Sequence, residues 1–305
     1  MTDRSTATAG AVVVLANRTA GHRRHAALVP AVLDLLAAAG RPVRLLDVGT
    51  AVEATATCRA AVADGAAALV TVGGDGTVHL ALQAVAGTDV PLGPVPAGTG
   101  NDFAVSTGFP PDPIAAVRLI SAAIRDGRSR PVDLARVTGP DRTDRWYGAV
   151  LAAGFDAIVN ERANRMRWPS GPRRYDLAVL VELARLRPRR YLVGLDGVSQ
   201  RMDAVLVAVG NCASYGGGMR ICPAADPTDG LLDVVVAGPV GRGTLIRILP
   251  QVYRGTHVQH PMVRSYRARE VTIDTAGVIG YADGERVGPL PLTVTAVAGA
   301  VRLLR

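Results

Sequence analysis

Through the first 130 positions, runs of β-branched and aliphatic residues alternate with stretches whose apolar positions recur every three or four residues. Ala9 to Asn17 (AGAVVVLAN) reads as a strand, and His22 to Gly40 follows with Leu28, Val32, Leu35, Leu36 and Ala39 at helical spacing, closed by Gly40. Val43 to Val48 predicts a second strand, Val52 to Ala63 a helix ended near Gly65, and Ala67 to Val72 a third strand. A helix from about Val78 to Ala86, a short strand from Pro91 to Val95 and a helix from Ile114 to Ile124 complete the series, the last capped by Asp112 and stopped at Gly127. Alternation of this kind implies a parallel sheet with helices on both faces.

After Arg130 the pattern changes. Pro131 to Val137, Trp146 to Ala152, Tyr191 to Leu195, Ala204 to Val209, Leu231 to Val236, Val271 to Ile273, Val278 to Tyr281 and Leu292 to Val297 are short β-rich runs between Gly, Pro and Asp turns. Helices are predicted only around Leu177 to Leu186 and Thr244 to Arg254. The expectation is an α/β fold in two domains: a doubly wound domain over 1–130, then an antiparallel β-sandwich-like domain over 131–305. A length of 305 residues also suggests two domains.

Composition narrows the chemistry. Hydrophobic residues make up 49% and charged ones 20%, an ordinary globular balance. No run is long enough to span a membrane or serve as a leader, so the chain is expected to be cytoplasmic. Cys58, Cys212 and Cys222 match no zinc spacing and read as free, buried thiols. The formal net charge is +8, and all 34 basic residues are arginine. The absence of lysine excludes the Walker-type phosphate lysine and Schiff-base chemistry, while an arginine surplus suits phosphate, nucleic acid or an anionic membrane face.

The strongest local signal is Gly73-Gly74-Asp75-Gly76-Thr77, where the third strand meets a helix. A glycine turn at a strand's carboxyl end lets backbone N–H groups approach phosphate, although it can also be only a structural turn. Asp75 would repel a nucleotide directly, so its use would be to hold Mg²⁺. One βα unit later, Pro96 to Asp102 (PAGTGND) repeats the theme with Gly98, Thr99, Gly100 and an acid.

Both motifs, with Asn101 to Ala104 (NDFA), resemble the diacylglycerol kinase catalytic domain of soluble bacterial lipid kinases. The resemblance continues through AAGFDA at 152–157, YGGGMRICPAADPTDGLLDV at 215–234 and ADGE at 282–285, in order over nearly the whole chain. It implies an active site in the interdomain cleft, with ATP lying against Gly73, Gly74, Asp75, Gly76, Thr77, Gly98 and Thr99, and with Asn17 and Thr50 as further nucleotide contacts. The family's Asn-Pro-x-x-Gly turn is altered here, since Arg18 replaces the proline while Gly21 is kept.

The same resemblance makes Asp283 the general base. Glu285, Asp75 and Asp102 would form a carboxylate network around a catalytic Mg²⁺, and Asp226, Asp229 and the Leu231 carbonyl would bind a second, structural Mg²⁺. By spacing alone, Asp283-Gly284 and Asp229-Gly230 could each be no more than a turn. His79 departs from the family's pattern and fits packing better than acid–base work. Gly216 to Gly218, beside Asn211 and Tyr215, suggest close approach to a ligand or mobility.

Nine arginines (162, 165, 167, 173, 174, 185, 187, 189 and 190) crowd one stretch that holds only Asp176 and Glu182 as acids. Anionic lipid, RNA or simple solvation would each account for them. The function expected is ATP-dependent phosphorylation of a lipid hydroxyl, most directly diacylglycerol to phosphatidic acid, at an anionic membrane surface and without a nucleic-acid partner. A homodimer stays open. The alternatives are another acceptor, such as phosphatidylglycerol, a sphingoid base or a non-lipid alcohol, or an NAD kinase.

Overall fold

The computed structural model describes residues 10–16, 24–141, 143–166, 168 and 172–305. Asn17, with Arg18 and Gly21, lies outside them. Two compact units divide the chain, the first within Met1–Leu134 with Ala298–Arg305, the second Ala135–Val297.

The first unit runs β1 (Val12–Ala16), α1 (Arg24–Ala37), β2 (Val43–Leu46), α2 (Ala51–Ala63), β3 (Ala68–Gly73), α3 (Asp75–Val85), β4 (Leu92–Pro96), α4 (Asp102–Ser106) and α5 (Pro113–Arg125). Its strands pair in parallel in the order β2-β1-β3-β4. β1, β3 and β4 are buried along their whole lengths, as strands covered on both faces must be. α5 buries Ala116, Val117, Ile120, Ala123 and Ile124, a helical stripe, and Asp112 caps it by accepting from the Ala115 N–H at 2.7 Å. Gly93 makes room for this helix, since a Cβ there would meet Ile120 at 2.8 Å.

β5 (Arg130–Thr138) carries the chain into the second unit, which holds β6 (Asp144–Tyr147), β7 (Val150–Ala152), α6 (Phe155–Arg165), α7 (Pro172–Ala184), β8 (Arg189–Leu195), β9 (Val198–Ala204), β10 (Leu206–Gly210), β11 (Leu232–Ala237) and α8 (Arg242–Arg254). After a 3₁₀ turn at His257–Gln259 come β12 (Val263–Ala268), β13 (Glu270–Asp274), β14 (Ile279–Ala282), β15 (Glu285–Pro289) and β16 (Leu292–Leu303). One sheet runs β12-β11-β10-β7-β14-β15, and the other includes β16-β13-β8-β9 with β5 and β6. Within the second unit the strand pairs are antiparallel.

A shared core joins the two sheets: Val207, Val209, Val234 and Leu151 from one, Tyr191, Val193, Val271, Ile273 and Val294 from the other. That interdigitation makes the unit a sandwich. The far end of β16 belongs to the first unit, where Leu303 pairs with Leu92 of β4 and the Leu304 N–H donates to the Leu92 carbonyl at 3.0 Å. Cys58, Cys212 and Cys222 are buried thiols outside any disulfide. Among the described residues no helix is long and apolar enough to cross a membrane.

Several elements differ from the sequence expectation. α3 begins at Asp75 rather than Val78, because Gly74 takes the extended N-cap conformation and its carbonyl receives the Thr77 and Val78 N–H groups at 2.9 and 3.2 Å. α4, α6, β9, β12 and β15 were not anticipated, and β16 is longer than its predicted run.

Candidate active site

In the first unit the strand order reverses direction of growth between β1 and β3, and ligands of open α/β sheets bind at the carboxyl ends of strands at such a point. Gly73 closes β3 there. A Cβ on Gly73 would stand 2.3 Å from Thr77 Oγ1, so the buried threonine folds back over its own turn only because position 73 is glycine. Gly98, after β4, is confined by backbone: a Cβ would come within 2.4 Å of the Gly74 Cα. The two glycine turns therefore pack backbone against backbone, and the Ala97 N–H donates to the Gly73 carbonyl at 2.9 Å.

Asn101, which sequence reasoning left without a role, organises the second turn. It sits in the left-handed region (φ 61°), where its amide accepts from the Gly98 N–H at 2.9 Å and donates to the Gly98 carbonyl at 3.0 Å. The signal that could have found it was its side chain's ability to close a local loop three residues back. Thr99 stays exposed and Gly76 partly so.

The acids of the two turns come together. Asp75 opens α3 and its Oδ1 accepts from the Phe103 N–H at 3.3 Å, which brings it against the start of α4, whose first residue is Asp102. Asp102 is 5% exposed. Thr50 is the N-cap of α2, its hydroxyl oxygen accepting from the Glu53 N–H at 3.2 Å. His79 is buried on α3, and the Gln83 amide donates to its carbonyl at 3.0 Å.

In the second unit Asp283 and Gly284 both take positive φ (52° and 83°) and join β14 to β15 with Ala282 opposite Glu285, a two-residue hairpin of the Asp-Gly kind. The turn reading is thus correct, and the side chain does more. Asp283 Oδ2 accepts from the Gly148 N–H and Oδ1 from the Ala149 N–H, each at 2.9 Å. Those two amides are oriented by Asn211, which is fully buried: its Nδ2 donates to the Gly148 carbonyl at 2.8 Å and its own N–H to the Ala149 carbonyl at 2.9 Å. The carboxylate is thereby fixed at one orientation. Glu285, the next acid, is exposed at the start of β15.

Gly216, Gly217 and Gly218 all take positive φ in a turn closed by mutual backbone bonds of Tyr215 and Met219 at 3.0 and 3.1 Å. Side chains other than glycine would be strained at all three. The turn is tethered to α6, because the Tyr215 hydroxyl donates to Asp156 at 2.7 Å. Burial raises the Asp156 carboxyl to about 6, against the opposing hydrogen bonds from Tyr215 and Ala157.

The loop expected to hold a structural metal is satisfied internally. Asp226 accepts from the Thr228 N–H at 3.0 Å and hydroxyl at 2.6 Å, Asp229 accepts from the Leu231 N–H at 2.9 Å, and the Arg267 guanidinium ion-pairs with Asp229 and lies 3.5 Å from Asp233. Among the described residues there is no group of three or more His, Cys, Asp or Glu side chains placed to hold a metal.

Comparison with known proteins agrees with this architecture. The family model of the diacylglycerol kinase catalytic domain matches residues 11–137, and that of the YegS C-terminal NAD kinase beta sandwich-like domain matches residues 149–305. The chain is 42% identical over 298 residues to a protein of Mycobacterium tuberculosis named diacylglycerol kinase, covering 97% of this chain and 95% of that one. It is 30% identical over 229 residues to a protein of Cronobacter sakazakii named "Probable lipid kinase YegS-like", 73% of each chain. A crystal structure of a diacylglycerol kinase from Bacillus anthracis has the same fold, with a TM-score of 0.70 at 21% identity over 96% of both chains. The chain belongs to the diacylglycerol kinase catalytic-domain family of lipid kinases.

Proposed function

We propose that this protein transfers the γ-phosphoryl group of ATP to a lipid hydroxyl, with diacylglycerol as acceptor and phosphatidic acid as product. The observation that carries the reading is the pair of glycine turns packed backbone against backbone, with Asp75 and Asp102 beside them. Such turns expose N–H groups without side chains in the way, and the positive end of α3 favours a phosphate there. Gly73, Gly74, Gly76 and Gly98 then admit the triphosphate, and Thr99 and Gly76 stand at the accessible side of the turns.

Phosphoryl transfer asks mainly for position and charge neutralisation. Asp75 and Asp102 are hard oxygen donors of the kind Mg²⁺ takes, and they would hold a Mg²⁺ that offsets charge on the phosphates. Asp283 receives the proton of the attacking hydroxyl. Its carboxylate needs no reorientation for this, because Gly148 and Ala149 already fix both oxygens. Thr50, which caps α2, and Thr77, which packs over Gly73, are the proposed threonine contacts to the nucleotide.

Diacylglycerol is preferred as acceptor because the Mycobacterium tuberculosis relative so named matches 97% of this chain. The arginine-rich stretch from Arg162 to Arg190 supports peripheral docking on an anionic membrane, where such an acceptor resides. Asp283→Asn tests the mechanism. The amide can keep one of the two backbone bonds, so the expected result is a folded protein with unchanged ATP affinity and phosphoryl transfer lower by at least about a hundredfold. Near-normal turnover in that variant would remove Asp283 from the reaction.

A further inference from the structure

α6 and α7 pack against each other through Val159, Ala163 and Ala178, and the chain then turns through Leu186 and Arg187 into β8. Beneath that turn is a cavity of ≈ 550 Å³. Its apolar wall is Phe155, Ile158, Leu186 and Val205, and its polar wall is four arginines, Arg162, Arg185, Arg187 and Arg189, against the single acid Glu182. The volume falls within the range of small-molecule sites. None of these residues belongs to the group that holds Asp283.

The charges in it are not balanced by the protein. Glu182 is taken by Arg162, and one Arg189 nitrogen donates to the Ala276 carbonyl at 3.3 Å. Among the described residues neither Arg185 nor Arg187 meets a carboxylate within ion-pair distance. Four arginines line one cavity, Arg185 and Arg187 being exposed, so an anion entering it meets an excess of positive charge. A phosphate monoester carries up to two negative charges and offers oxygens in the geometry that guanidinium groups bind two at a time. The apolar wall would stay wet under a free phosphate, whereas a ligand with a hydrocarbon tail covers it. Trp168, in the segment between α6 and α7, is 80% exposed, and Leu180 of α7 is 63% exposed, so apolar surface is also presented close by in the sequence.

We propose that this cavity binds the phosphomonoester head of an anionic lipid, with Arg185 and Arg187 as its principal contacts and Phe155 and Leu186 meeting the first carbons of the tail. Binding there does not depend on turnover.

The test is calorimetric titration with dihexanoyl phosphatidic acid as a dissolved monomer, alongside dihexanoyl phosphatidylcholine and inorganic phosphate. The wild-type protein is expected to bind the phosphatidic acid at least about tenfold more tightly than either comparison ligand, with affinity falling as salt rises. The Arg185→Gln, Arg187→Gln double variant, shown to be folded by an unchanged circular dichroism spectrum, is expected to lose at least about tenfold of that affinity. The Asp283→Asn protein is expected to keep it, which separates this site from the reaction. Unchanged affinity in the double variant would overturn the proposal. So would equal binding of inorganic phosphate, which would make the ligand a free anion, or loss of binding in Asp283→Asn, which would place the lipid at the catalytic group. A protein that turns over no lipid at all but shows the expected titrations would leave this site standing while the kinase reading fell.

Discussion

Gly98 has no room for a side chain: a methyl group there would meet the Gly74 Cα at 2.4 Å, backbone that cannot swing aside. Gly98→Ala should therefore push the two glycine turns apart, costing about 1–3 kcal/mol of stability and weakening ATP binding by at least about tenfold, read by thermal unfolding and by nucleotide titration. An alanine variant of wild-type ATP affinity would show that the turns do not shape the nucleotide site. Asp156 supplies a second residue-scale prediction. Its carboxyl is raised to about 6 by burial, above the roughly 3.9 of an unfolded chain, so the folded state binds the extra proton between those values. Its contribution to stability is complete below about pH 4 and is lost as pH rises through about 6, on the order of 2–3 kcal/mol. Relative to Asp156→Asn, the wild-type protein should gain that much on going from pH 7 to pH 4. Parallel pH curves for the two proteins would contradict it. At this scale the sequence was informative wherever a residue type has few uses. Gly73, Gly98 and Asp283 could be singled out because glycine at a strand end and Asp-Gly at a hairpin serve narrow purposes. Asn211 and Asn101 could not be assigned, since their partners are backbone atoms that only the fold brings near.

Elements were legible where one face is uniformly apolar and the ends are marked. α5 follows a capping aspartate and buries a regular stripe, and β1, β3 and β4 are unbroken aliphatic runs. α6 was missed because its sequence, FDAIVNERANR, is mostly polar and is held by tertiary contacts, including the ion pair of Arg162 with Glu182 on α7. β9 (VSQRMDA) pairs with β8 alone and leaves most of its residues in solvent, so it shows no alternation to read, and β15 (ERVGP) contains both a glycine and a proline. The acidic loop before β11 shows another limit of the sequence. Aspartates on a tight loop have the composition of a cation site, while Arg267, which satisfies Asp229, comes from β12, 38 residues along the chain. This gives an element-scale prediction: Arg267→Ala should lower stability by about 1 kcal/mol, since its charge is half exposed. An unchanged melting temperature in that variant would contradict it.

For the whole molecule, the change of grain near residue 131 foretold an α/β unit followed by a β-rich one, because parallel and antiparallel sheets write different patterns into sequence. It did not reveal that the last eight residues return to the first unit, as Leu303 pairs with β4. A terminal strand carries no mark of which sheet it will join. The charge of +8, all of it arginine, pointed to an anionic partner without naming one. What the molecule phosphorylates is decided by one measurement. Labelled ATP and Mg²⁺ are incubated with the protein and, in parallel, with diacylglycerol micelles, phosphatidylglycerol, sphingosine, NAD and no acceptor. Label should appear in phosphatidic acid from the diacylglycerol sample, above every other acceptor. Label confined to NAD, or found in no lipid, would contradict the lipid-kinase account.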